Sequence, residues 1–70
     1  MDIQSHGPSI GQNQFNIYFD VSVPADVSYA DAERAIDQKC HDWGYYGGRI
    51  DGIIPSTDGR QHYRVAAHKE

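Results

Sequence analysis

The sequence predicts an α+β domain with the element order β-α-β-β. Three observations predict it: apolar and polar residues alternate over 15–23, an apolar stripe at helical spacing covers 29–43, and two strand-like segments flank a turn at 55–59. The expected architecture is a three-stranded antiparallel sheet with one helix packed on one face. Residues 1–14, polar and rich in Gly, are predicted to be a loose N-terminal arm before a single domain at 15–70.

The first predicted strand has a large apolar residue at every odd position. Because side chains alternate between the two faces of an extended chain, these residues are predicted to face the core. They are Phe15, Ile17, Phe19, Val21 and Val23. Asn16, Tyr18, Asp20 and Ser22 would lie on the opposite face. Pro24 ends the strand, since proline has no N–H to continue a hydrogen-bonded ladder.

The predicted helix covers about residues 29–43. Ser28 is its predicted N-cap, because its hydroxyl can accept the backbone N–H of Asp31. Gly44 is a typical residue to end the helix. The apolar stripe that should face the sheet consists of Tyr29, Ala32, Ile36, Cys40 and Trp43.

Two further strands are predicted at 49–54 and 60–68. In the first of them Gly52 suggests a bulge that would return Ile53 to the core. A helical crossover makes strands one and two parallel, so a third strand inserted between them gives the antiparallel order 1-3-2, which is favoured. A meander of order 1-2-3 is the alternative. The core expected beyond strand one is Ala32, Ile36, Cys40, Trp43, Ile50, Ile54, Tyr63 and Val65.

Net charge, cysteine count and hydropathy make some functional classes and locations less expected than others. The chain has 70 residues, ten acidic and six basic, and a formal charge of −4, which disfavours non-specific binding to phosphate. A partner with a basic surface is the more natural expectation. A single cysteine excludes an internal disulfide and suggests the cytoplasm. The N-terminus resembles no signal peptide and no apolar run is long enough to span a bilayer, so no membrane association is expected.

No residue pattern points to catalysis, a cofactor or a metal ion. His62 and His68 share a strand face but are separated by roughly 20 Å at the usual rise per residue, too far to share one ion. Cys40 belongs to the apolar stripe and is expected to be a buried, inert thiol. No Ser-His-Asp set is brought together by spacing. The chain is therefore predicted not to be an enzyme.

The predicted function is stoichiometric protein binding, as an inhibitor or adaptor. In size and charge the chain resembles small bacteriophage and mobile-element proteins that block host defence, including anti-CRISPR proteins, although no motif carries the resemblance. Two surfaces are candidates, the outer helix face and the loop after the helix. Their residues are Asp31, Glu33, Asp37 and Asp42 for the helix, and Tyr45, Tyr46 and Arg49 for the loop.

Two further interactions are expected from the sheet. The alternative function is nucleic-acid binding through the sheet face without a helix, with Tyr18 stacking on a base and basic residues meeting phosphates. Its candidate residues are Tyr18, Arg49, His62 and Arg64. The unpaired edges of a small sheet also suggest a homodimer.

Overall fold

The computed structural model describes residues 1–69, which hold four strands and one helix. In chain order these are β1 (Gln4–Gln12), β2 (Asn16–Pro24), α1 (Tyr29–Asp42), β3 (Gly47–Ile54) and β4 (Arg60–His68). The strands form one antiparallel sheet of order β1-β2-β4-β3. The α+β class predicted from the sequence is confirmed, and the last strand inserts between β2 and β3 in the favoured order rather than forming a meander.

The prediction of three strands is wrong, because the segment expected to be a loose arm contains β1. This strand pairs with β2 in a register that shifts between His6 and Gly11. Gly7 takes a positive φ of 71° inside the irregularity, and Pro8 follows it. A polar strand with a proline is tolerated at a sheet edge, where one side of its backbone needs no ladder. The same features remove the period-two pattern that would have predicted a strand.

The helix begins where the sequence indicates. The Ser28 hydroxyl accepts the Asp31 N–H at 3.2 Å, so the predicted N-cap is confirmed. The helix buries Ala32, Ile36 and Cys40 against the sheet, and it lies chiefly over β3 with fewer contacts to β4. The half of β2 that holds Val21 and Val23 is also covered, whereas Ile17 near the start of this strand is only partly buried.

This placement of the helix explains where the predicted core is wrong. Phe19, Val21 and Val23 are buried, but Phe15 is 55% exposed and Trp43 is 37% exposed. Phe15 lies just before β2, in the connection from β1. Ile17 and Ile50 are only partly buried and pack against the core from its margin.

The predicted bulge in β3 is present, but it does not bury Ile53. The register moves from Ile50 opposite Val65 to Gly52 opposite Arg64, so the extra residue is Asp51. The shift places Ile53 opposite Tyr63 on the helix side, where it remains 74% exposed. Ile54 then lies opposite His62 on the other face, so its assignment to the core is also wrong.

Replacing Phe19 with alanine should lower the free energy of unfolding by about 3–5 kcal/mol, because it removes a buried aromatic ring from a small core. Phe15→Ala, which removes the same ring from the residue just before β2, is the matched control. Since Phe15 is exposed, its truncation should change the value by no more than about 0.5 kcal/mol. Urea denaturation of both variants measures the difference, and equal losses would contradict the burial described here.

Replacing Gly48 with alanine should cost about 1–3 kcal/mol, because its Cβ would overlap the Cys40 sulfur. Combining it with Cys40→Ala should recover much of this loss, so a double-mutant cycle in urea should give a clear coupling energy. Gly52→Ala is the control, since its Cβ would meet nothing closer than the Arg64 Cβ at 3.7 Å. Strictly additive effects at positions 48 and 40 would contradict the contact.

Candidate functional site

The sheet face away from the helix, called here the open face, carries a network of polar side chains. Cross-strand pairing aligns Ser22 with His62 and Asp20 with Arg64, because β2 and β4 are neighbours. His6 of β1 lies opposite Asp20. Three strands thus bring their polar positions together, and no sequence spacing reveals this before the strand order is known.

His62 is held between two carboxylates, an arrangement called here the histidine clamp. Its Nδ1 lies 2.8 Å from Asp20 Oδ1 and its Nε2 lies 2.7 Å from Asp58 Oδ2. The side chain is only 8% exposed. Only the imidazolium ion has an N–H on both ring nitrogens, so the geometry favours a charged His62 that donates to both carboxylates. The clamp ties the turn before β4 to strand β2.

The pKa values within the clamp have clear physical causes. Burial lowers the pKa of His62, but the hydrogen bonds and charges of Asp58 and Asp20 outweigh it, and the pKa lies above the ordinary 6.5. The pKa of Asp58 falls from 3.8 to about 2, first because the backbone N–H of Arg60 donates to it and then because His62 does. Both shifts favour the charged form of each partner and so favour the ion pair.

A second cluster surrounds Ser22, which is completely buried. Its hydroxyl lies 2.6 Å from His6 Nε2 and accepts the Arg60 Nε–H at 2.8 Å. Arg60 also contacts the Asp2 carboxylate at 3.2 Å. The His6 ring contacts the His62 ring at a tilt of 31°, with 4.8 Å between ring centroids. Within residues 1–69 every buried side-chain nitrogen and oxygen has a hydrogen-bond partner.

The Ser22–His6 pair has the separation of a nucleophile and its base, but it is not arranged for attack. A substrate cannot reach an oxygen that is fully buried and already accepts a hydrogen bond from Arg60. Cys40 is no better placed, because burial and, secondarily, Asp37 raise the pKa of its thiol to about 11. Both groups are buried within the packed domain.

The residues of the predicted nucleic-acid surface lie on the open face, and three of the four already make contacts within the chain. The Arg64 guanidinium stacks 4.5 Å from the centre of the Tyr18 ring and pairs with Asp51 at 3.3 Å. His62 is buried in the clamp. A base would have to displace Arg64 from Tyr18 before it could stack there. Arg49 is exposed on β3.

The four predicted acidic contacts on α1 are not equivalent. Asp31 pairs with Arg34 on the helix surface. Asp37 accepts the N–H of Gly48 at 3.0 Å and so joins α1 to the free edge of β3. Glu33, Asp37 and Arg49 line one cavity of about 390 Å³ with Arg34, Gly48 and Ile50. Asp42 is exposed and contacts Gln38 at 3.4 Å.

Both sheet edges of the described chain carry features that hinder strand-to-strand pairing. Asp37 occupies the Gly48 N–H on the β3 side, and a bulge follows at Asp51. The opposite edge contains Pro8 and the irregular stretch of β1. These are recognised ways of protecting an edge from association. The predicted homodimer stays a prediction, and this geometry does not favour an edge-to-edge form.

The two predicted loop tyrosines point to different surroundings. Tyr45 is partly buried, with its ring centroid 5.8 Å from that of Phe19. Tyr46 is 68% exposed and has an edge contact with His68 at 6.3 Å. The structure therefore separates the tyrosines and gives only Tyr45 a place beside the core.

Tyr45 belongs to an open cavity of about 380 Å³, called here the aromatic groove. It is lined by Ser5, Ser9, Ile17, Phe19, Trp43 and Tyr45. Its floor is the part of β2 that α1 does not cover, with Phe19 packed edge-on against Trp43 at 6.0 Å. Sequence reasoning named Tyr45 but missed the groove, because one wall comes from the unpredicted β1.

Two further observations on the described residues concern metal ions and membranes. Among residues 1–69 no group of three or more His, Cys, Asp or Glu side chains is arranged to hold a metal ion. Within the same range no helix is long and apolar enough to cross a membrane. The chain matches no protein family, no curated protein and no solved structure. The geometry of the aromatic groove and the open face therefore carries the functional argument.

The histidine clamp should make stability depend on pH. Because the folded-state pKa of His62 lies above 6.5, its contribution is complete below that pH and is lost as pH rises through the folded value. The stability difference between wild type and His62→Gln should be larger at about pH 5.5 than at about pH 9. Urea unfolding at the two pH values measures this difference, with His68→Gln, which leaves the clamp intact, as the control. A difference that stayed constant or grew with pH would contradict a charged His62.

Proposed function

We propose that this protein is a stoichiometric protein-binding module and that the aromatic groove is its contact surface. The observation that carries the proposal is an open cavity of about 380 Å³ with Phe19, Trp43 and Tyr45 in its walls. Large aromatic side chains beside a partly uncovered core are typical of residues that dominate binding energy. Polar hydroxyls at Ser5 and Ser9 add hydrogen-bonding groups along one wall.

Exposed apolar side chains in and near the groove favour the binding of another polypeptide there. Trp43 keeps 37% of its surface exposed, and Phe15, two residues before the groove residue Ile17, is 55% exposed. Apolar surface of this kind gains roughly 25 cal/mol for each Å² removed from water. A single helix does not supply that cover here, so another polypeptide can.

The partner that fits is a protein presenting one large apolar side chain from a basic surface. A cavity of this size admits one such side chain, and the two serine hydroxyls suit the backbone that carries it. The basic surroundings follow from the formal charge of −4 and from Asp42, an exposed carboxylate directly before Trp43. Opposite charge would raise the association rate, while the buried aromatic contact would set the residence time.

We also propose that binding makes the protein an inhibitor or adaptor, in the style of the small proteins that block host defence. Occupying a partner's surface requires neither a cofactor nor a catalytic group. This agrees with the burial of the Ser22 hydroxyl, which a substrate cannot reach. Nucleic-acid binding through the open face is less well supported, because Arg64 covers Tyr18 and His62 is enclosed.

A photo-crosslinking residue at position 9, on the groove wall, should capture the partner from a host lysate. The same residue at Ser56, an exposed position in the turn before β4, should not. With the captured partner purified, Trp43→Ala should raise Kd about tenfold or more, as expected for loss of a central aromatic contact. Surface plasmon resonance measures the change, after circular dichroism has shown that the variant is folded.

Two matched variants make this experiment decisive. Tyr46→Ala removes an exposed aromatic ring outside the groove and should change Kd by less than about threefold. Asp42→Lys should slow association mainly at low salt. If Tyr46→Ala weakened binding and Trp43→Ala did not, the loop rather than the groove would be the site. If the chain instead bound single-stranded RNA at physiological salt and Tyr18→Ala abolished this, the nucleic-acid function would replace the proposal.

A further inference from the structure

We propose that the chain forms a two-fold symmetric dimer in which Phe15 of each copy fills the aromatic groove of the other. The inference goes beyond the proposed function, because the dimer needs no other protein. It rests on that function only in using the same groove, and it can be tested on the purified chain alone.

The Phe15 side chain is exposed on a turn whose backbone is held from both sides. Phe15 is 55% exposed. Its N–H donates to the Asn13 side-chain oxygen at 2.9 Å, and its carbonyl oxygen accepts the Lys69 N–H at 2.8 Å. The same Asn13 oxygen accepts the Asn16 N–H at 2.8 Å. An apolar side chain presented from a fixed backbone loses little freedom on binding, so Phe15 is preorganised to act as an anchor.

The aromatic groove offers the complementary surface close to this anchor. Its volume of about 380 Å³ admits one large apolar side chain, and its wall residue Trp43 is 37% exposed. Phe15 precedes the groove residue Ile17 by two positions, so their Cα atoms are no more than about 7 Å apart. Each copy therefore presents an exposed ring and an open groove side by side.

Two-fold symmetry suits a ring and a groove that are neighbours. In a symmetric dimer the same patch is used by both copies, so seating one Phe15 in the second copy's groove also seats the reciprocal ring. A two-fold axis between ring and groove places both contacts in one compact interface. This arrangement requires no strand pairing, and the protected sheet edges therefore do not oppose it.

The charges beside the ring and the groove are opposite. Lys69 is bonded through its backbone to Phe15, whereas Asp42 is an exposed carboxylate directly before Trp43. The exchange brings both charges of each copy to the same interface, where they favour this orientation. The formal charge of −4 on each copy opposes association as a whole. A partner with a basic surface would therefore displace the second copy from the groove.

Sedimentation equilibrium of the purified chain tests the dimer directly. Phe15→Ala and Trp43→Ala should each raise the dimer dissociation constant about a hundredfold, since each dimer loses two contacts worth about tenfold apiece. Phe15→Ala should barely change stability, so its effect would report the contact rather than unfolding. Circular dichroism checks the fold of Trp43→Ala. Tyr46→Ala removes an exposed ring outside the groove and should change the constant by less than about threefold.

Mixing the two variants tests the exchange itself. Phe15→Ala keeps an intact groove and Trp43→Ala keeps an intact Phe15, so a mixed dimer regains one complete contact. An equimolar mixture should therefore associate about tenfold more tightly than either variant alone, beyond the twofold statistical advantage of a mixed pair. Non-specific apolar association gives no such recovery.

Three results would overturn the inference: a monomeric wild type at about 1 mM, an equal loss with Tyr46→Ala and Phe15→Ala, or no recovery in the mixture. The proposed function is judged separately. If the dimer forms but position 9 captures no other protein from the lysate, the proposed function fails while the dimer stands. If a captured partner binds the dimer without separating the copies, the second copy does not occupy the groove and the inference is wrong.

Discussion

The structure depends on one geometric constraint, which is that a single helix must cover a four-stranded sheet. A helix with its side chains is about 10 Å wide, and neighbouring strands are about 4.8 Å apart, so one helix covers roughly two strands. Here its closest contacts are with β3, and the core it covers includes the half of β2 that holds Val21 and Val23. The uncovered end of β2 becomes the aromatic groove. The same shortage of layers leaves the second face of the sheet without any helix.

No helix packs on the open face, and charge pairing stabilises it instead of apolar packing. Asp20, Asp58 and His62 satisfy one another at normal hydrogen-bond distances, and Arg60 joins the N-terminal segment to Ser22. Such a network fixes a register, because a slip of one residue would send every one of these side chains to the other face. The network therefore contributes to the specificity of the fold as well as to its stability.

Sequence patterns predict the elements that are periodic and miss those that are not. The alternation at 15–23 and the stripe ending at Trp43 are local and strong, so β2 and α1 are found, while β1 is polar, irregular and defined only by its neighbour. The candidate site divides in the same way. Tyr45 is recognisable by residue type, but the histidine clamp needs the strand order. Asp37 looks like a free surface charge until its bond to Gly48 is seen.

The burial of Cys40 has a practical consequence for work on this chain. Its thiol is fully enclosed, a pKa of about 11 keeps it protonated at neutral pH, and it is the only cysteine in the sequence. Reagents such as maleimides require an accessible thiolate. The folded protein therefore behaves as a cysteine-free background, in which one cysteine introduced on the surface can carry a fluorophore or spin label without a competing reaction.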